Sequence, residues 1–117
     1  MSNLVKDVTS FSRKVTKIEG PLGENMILAS GEGAIQIGQV LSYDESTGKV
    51  VKYNSGSNAA FSIALSEADS TTADVPVLVA RPITRFNSVE VKGITLSTDF
   101  KGKKELWSNG ILLEEVK

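Results

Sequence analysis

The sequence predicts a mostly β fold with one short helix: a small barrel- or sandwich-like domain behind a flexible N-terminal arm. Three observations predict it. Apolar and polar residues alternate over short runs bounded by Gly, Pro, Asn and Asp, the two-residue period of half-buried strands. A single stretch near residues 98–110 carries helix start and stop residues in the right order. Residues 1–20 hold scattered β-formers with no regular period and end in Gly20-Pro21-Leu22-Gly23, a turn or linker. The expected organisation is an arm over 1–20 and a single β-rich domain over 21–117.

The elements follow in order. The arm carries Val5, Val8, Phe11, Val15 and Ile18 among Ser and Thr, with a local charge of +2 that leaves −3 for the rest. It reads either as a frayed terminus or as a strand awaiting a partner. Ile35 to Leu41 begins as an alternating run, with Gly38 where a bulge or a close backbone approach fits. Tyr43 to Lys49 is a turn with Gly48 available for positive φ, and Val50 to Tyr53 returns as the second hairpin strand. Ala59 to Leu65 reads as a strand with Phe61, Ile63 and Leu65 on one side and Ala60, Ser62 and Ala64 on the other. Small residues on that side imply a second layer lying close.

Glu67 to Ala73 reads as an acidic loop. Val75 to Ala80 is the most apolar strand, and Pro76 puts it at a sheet edge or at a strand start. Ser88 to Lys92 alternates as a half-exposed strand. Ser97 or Thr98 is placed to cap the helix, Asp99 suits its positive end, and Asn109-Gly110 stops it. Phe100 and Trp107 are seven apart and share a helix face, so they read as core anchors. Ile111 to Val116 closes the chain as a strand.

Composition restricts function. The 117 residues include no His and no Cys. That removes Ser–His–Asp, Cys–His and zinc–thiolate chemistry, and with them the commonest general base. A net charge of −1 gives no electrostatic reason to expect nucleic acid, and no apolar run is long enough to span a bilayer. The carboxylates at Asp44-Glu45 and Asp69 to Asp74 lack the Gly turn and ligand density of a calcium loop. Gly31-Glu32-Gly33 lacks the Lys and Ser/Thr of a phosphate loop, and Lys49 lacks the flanks of a biotinyl or lipoyl attachment site. Catalytic residues, cofactor and metal are therefore all expected to be absent.

The stretch Gly38 to Asp44 with Lys49 to Tyr53, then Ala59 to Leu65 and Asp74 to Val79, resembles tailed-phage head decoration proteins of the lambda type. The family's hairpin, small-residue strand, Ala-Asp pair (here Ala68-Asp69), short helix and terminal apolar strand occur in the same order over about residues 30–117. One departure is the arm, which is Pro- and Ala-rich in lambda and basic and β-prone here.

The resemblance implies a structural virion protein made in the host cytoplasm. It implies a homotrimer on the outer surface of the expanded capsid, at threefold and quasi-threefold sites, that stabilises the shell against packaged DNA. The implied partner is the major capsid protein, to which the arm would add a strand, with no nucleic acid or membrane partner. Val5, Val8, Phe11, Val15 and Ile18 are then the expected arm contacts. The competing reading is a monomeric binding module for carbohydrate, or a virion surface adhesin.

Overall fold

The computed structural model describes residues 17–114. Ten strands and one helix follow in the order β1 (Lys17–Glu19), β2 (Glu24–Leu28), β3 (Ala34–Ile35), β4 (Val40–Asp44), β5 (Lys49–Lys52), β6 (Ser62–Ile63), β7 (Ala68–Asp69), β8 (Val75–Val79), β9 (Thr84–Asn87), α1 (Phe100–Ser108) and β10 (Ile111–Glu114). The fold is mostly β, as expected. Among the described residues, no helix is long and apolar enough to cross a membrane.

The main sheet has the order β6-β4-β5-β2-β8, antiparallel throughout except for the parallel β2–β5 contact. It curls until its two edges meet. Ala64, just past β6, bridges Val79 at the end of β8. Flanking this bridge, Leu65 N–H donates to Leu78 O at 2.7 Å and Ala80 N–H to Ile63 O at 3.0 Å. The meeting satisfies backbone groups that an open edge would leave to solvent. Pro76, which has no N–H to give, sits in the edge strand β8, as its chemistry requires.

Two apolar clusters result. Leu28, Ile35, Leu41, Val50, Ala64, Val77 and Val79 fill the inside of the curled sheet. Val40, Tyr53, Ala60, Ile63, Ala80, Phe86, Leu106 and Ile111 form a second cluster between that sheet and an outer layer of β9, β10 and α1. Neighbouring strand residues point to opposite faces, so Val40 and Leu41 enter different clusters, as do Ile63 and Ala64. The two-faced strand expected over Ala59 to Leu65 does not hold: the regular strand shrinks to β6, Ala60 joins Ile63 and Leu65 in the second cluster, and Ala64 lies with Phe61 in the first. The expected hairpin forms, with Leu41 opposite Lys52 and Asp44 opposite Lys49, but its first strand is Val40–Asp44 rather than Ile35 to Leu41, and Ile35 lies in β3, which pairs with β7. Gly38 has φ of +99°, donates to Ala64 O and accepts from Lys92 N, the close approach expected there.

Four further expectations need correction. Ser88 to Lys92 is no strand: Ser88–Glu90 is a single 3-10 turn. Asn87 caps it, its side-chain oxygen accepting from Val89 N–H at 3.3 Å and drawing the backbone out of the ladder. The strand in this region is β9, one step earlier. The Glu67 to Ala73 loop contains β7, which pairs with β3. The helix cap is Asp99, not Ser97 or Thr98, with Asp99 Oδ1 accepting from Gly102 N–H at 2.9 Å. Finally, Phe100 and Trp107 are not core anchors: they are 68% and 71% exposed. The inward positions of α1 are Gly102 and Leu106, four apart. Seven-residue spacing shows that Phe100 and Trp107 share a face, and that face is the outer one.

Candidate functional site

The outer layer is organised around β9. Thr84, Phe86 and Asn87 are buried, and Arg85 reaches outward to Glu114 on the parallel neighbour β10. Arg85 Nη2 donates to both Glu114 oxygens at 2.5–2.6 Å and Nε donates to Oε2 at 3.1 Å. Such a fork fixes the register of the parallel pair, which has fewer favourable cross-strand contacts than an antiparallel one. On the other side β1 runs antiparallel, with Lys17 opposite Phe86 and Glu19 opposite Arg85. Among the described residues no strand pairs with the far side of β1. The chain enters the sheet at Lys17, at the end where β10 leaves it at Glu114.

The link from β1 into the body is tight. Gly20 has φ of +147°, and a Cβ there would lie 2.8 Å from Thr84 Cα, so only glycine fits. Lys17 Nζ donates to Pro21 O at 3.1 Å across the same turn. The result is a short edge strand held against the body at its base.

Beside this sheet lies an apolar surface. Phe100, Trp107, Ile111 and Leu113 line an open cleft of about 290 Å³ on the outer side of α1, with Lys103 and Lys104 at its border. Near the C-terminal end of α1, Ile83 N–H donates to Gly110 O at 2.8 Å. Ile83 is 74% exposed and has φ of +66°. A β-branched residue rarely occupies the left-handed region, where its Cβ crowds the following carbonyl.

A second cleft, of about 840 Å³, opens between β4 and the Ala59 to Phe61 segment. The Tyr43 and Phe61 rings lie 5.2 Å apart at its wall, with Asp44 and Glu45 beside them. The Ser46 hydroxyl and N–H hold the Asp44 carboxyl below the usual carboxylate range, so it is charged at neutral pH.

The remaining shifted groups have architectural partners. Hydrogen bonds from Thr71 hold Asp69 low, and Lys49 at 2.7 Å with Ser30 N–H hold Asp74 low. Tyr53 O–H donates to Asp99 Oδ2 at 2.5 Å; with Gly102 N–H it lowers the Asp99 pKa. Burial, and then this same bond, push the Tyr53 phenol up. Each carboxylate closes a turn, caps a helix or ties a strand. Among the described residues, no group of three or more His, Cys, Asp or Glu is arranged to hold a metal ion.

Of the residues expected to contact a partner through the arm, Val5, Val8, Phe11 and Val15 lie outside the described residues. Ile18 lies in β1, paired to β9. Phe100 and Trp107 are brought together, on the surface. Sequence reasoning missed Ile83 and Leu22, the two most exposed large apolar residues. Each sits beside a proline in a turn, Pro21-Leu22 and Pro82-Ile83, where no core position is available. A large aliphatic residue in such a turn is the signal that could have found them.

The family model of the bacteriophage lambda head decoration protein D matches residues 11–104. No curated protein matches the chain.

Proposed function

Because the chain belongs to the bacteriophage lambda head decoration protein D family, and so is a phage capsid structural protein, we propose that it works as a homotrimer on the outer surface of the expanded head. In this reading it sits at threefold and quasi-threefold sites, binds the major capsid protein, and stiffens the shell against packaged DNA. It is made in the host cytoplasm, with neither nucleic acid nor membrane as partner, and it catalyses nothing. Residues 1–20 act as the arm. Val5, Val8, Phe11 and Val15 are its contact residues, and Ile18 lies at its base.

The observation that supports the arm's role is β1: a three-residue edge strand, antiparallel to β9, with no strand on its far side among the described residues. A segment that enters a domain as an edge strand is already extended, so pairing with a capsid strand continues the same hydrogen-bonding geometry. Ordering the arm costs roughly 1–2 kcal/mol per residue of backbone entropy. Three arms per trimer offset that cost, because the first contact raises the effective concentration for the others.

The test is deletion of residues 2–16, which leaves β1 in place. The truncated protein should keep its far-UV spectrum and trimeric mass but fail to co-sediment with expanded, undecorated heads. Undiminished co-sedimentation would remove the arm from the mechanism.

The exposed Trp107 and Phe100 favour one second reading, a monomeric binding module that stacks a sugar ring on these aromatics. Light scattering separates the two: a protein that remains a monomer at high concentration fits the module and not the trimer.

A further inference from the structure

We propose that copies of this chain join head to tail, the Phe100–Trp107 face of α1 in one copy seating in the Tyr43–Phe61 cleft of the next. The inference rests on the homotrimer reading and supplies what it lacks, the two surfaces that meet.

The two surfaces are complementary in charge, and each is apolar at its centre. On the first, Phe100 and Trp107 project into solvent at 68% and 71% exposure. Exposed aromatic pairs of this size are a feature of interface centres rather than of free surfaces. The second is a concavity of about 840 Å³ with an aromatic wall, Tyr43 and Phe61, and further apolar lining from Val51 and Ala59. Lys103 and Lys104 border the first surface, and neither is in an ion pair among the described residues. Asp44 and Glu45 border the second.

Charge also decides between this occupant and its rivals. Residues 1–16 carry Lys6, Arg13 and Lys14 against Asp7, so docking that segment on α1 would bring cations toward Lys103 and Lys104. A twofold pairing of two α1 faces would set Lys103 and Lys104 near their own counterparts, again like against like. Head-to-tail contact avoids both. Because it uses two different patches, it closes into a ring when the rotation permits, as a threefold assembly requires.

The experiment is light scattering across a concentration series on the full chain and four variants. Trp107→Asp should reduce the wild-type oligomer to monomer. Lys104→Glu alone and Glu45→Lys alone should each raise the concentration at which the oligomer dissociates by tenfold or more. The chain carrying both changes should recover most of that loss, which no single-site role would do. Urea midpoints of the dissociated proteins establish that each variant is folded. Since Lys104, Glu45 and Trp107 are all exposed, they should be near wild type. An oligomeric wild type whose Trp107→Asp variant keeps its mass, or a double charge variant that recovers nothing, overturns the face assignment and leaves the trimer standing. A wild type that stays a monomer defeats the trimer itself.

Discussion

The curled five-stranded sheet and the outer layer of β9, β10 and α1 treat apolar residues in opposite ways. Inside the sheet Leu28, Leu41, Val50, Val77 and Val79 are all essentially inaccessible, because the joined edges leave only one interior to fill. The outer layer buries Phe86, Leu106 and Ile111 on its inner side and displays Ile83, Phe100 and Trp107 on its outer side. The layer is one element thick, so the face of α1 that carries Phe100 and Trp107, opposite the inward Gly102 and Leu106, is left at the surface. The interior of the sheet is specified for stability. The outer layer divides its apolar residues between core and surface, and burial rather than hydrophobicity tells the two apart.

The largest expected effect asks whether the outer layer shares the sheet's core. Phe86 is fully buried in β9 and Leu41 in β4, in different clusters. Phe86→Ala should cost roughly 3–5 kcal/mol and Leu41→Ala roughly 2–5 kcal/mol in urea unfolding, each with an unchanged m-value. Two separate transitions in Phe86→Ala would show the outer layer melting as its own unit, and the division drawn here would become a division of folding as well.

How far the two regions were legible in sequence follows the same line. The hairpin turn with Gly48, the edge strand with Pro76 and the Asn109-Gly110 stop are set by neighbours in the chain and are found as read, whereas the first hairpin strand begins at Val40 rather than Ile35. The joining of the sheet at Ala64 and Val79, and the parallel β2–β5 contact, depend on pairing between distant segments and left no local mark. Ser88 to Lys92 has a strand's alternation, yet the Asn87 cap overrides it. In α1 the shared face of Phe100 and Trp107 was legible, but its direction depends on Gly102. A glycine mid-helix lowers helix propensity and says nothing alone about close packing. Of the five expected arm contacts, only Ile18 falls within the described residues.

Gly102 therefore gives the next test. In an exposed helix interior Gly→Ala gains about 1 kcal/mol. Here a Cβ would meet the Tyr53 hydroxyl, lie 2.8 Å from Asp99 Oδ2 and lie 2.9 Å from Ile94 Cδ1. Gly102→Ala should reverse the usual sign and cost about 1–2 kcal/mol, since the gain in propensity is smaller than the overpacking penalty. A stabilised variant would mean that α1 sits less tightly on the body than its inner face implies.

Tyr53→Phe probes the polar tie between the regions, because Tyr53 follows β5 and its hydroxyl bonds the cap of α1. The loss should be roughly 0.5–1.5 kcal/mol near neutral pH. Its pH dependence has a definite sign. The Asp99 pKa is lowered by folding, so its contribution is complete above the unfolded value and disappears as pH falls below about 4. The Tyr53 pKa is raised, so its contribution is complete below the unfolded value and is lost as pH climbs past about 10. Tyr53→Phe should thus flatten both the acid and the alkaline limbs of the stability profile. Limbs parallel to wild type would place the pH sensitivity elsewhere.

The smallest expected effect is a gain. Ile83 holds φ of +66° on the Arg81–Thr84 turn, where glycine incurs no Cβ clash. A left-handed conformation costs an ordinary residue about 1–2 kcal/mol, and glycine returns part of that through its freer unfolded chain. Ile83→Gly should therefore stabilise the protein by about 0.5–1 kcal/mol, read as a higher urea midpoint. The side chain removed is 74% exposed, so almost no burial is lost in exchange. A more stable variant that binds expanded heads less well would show that strain is retained at this turn for the sake of contact, as the outer layer's division of roles requires. Stability gained with binding intact would assign Ile83 no part in contact.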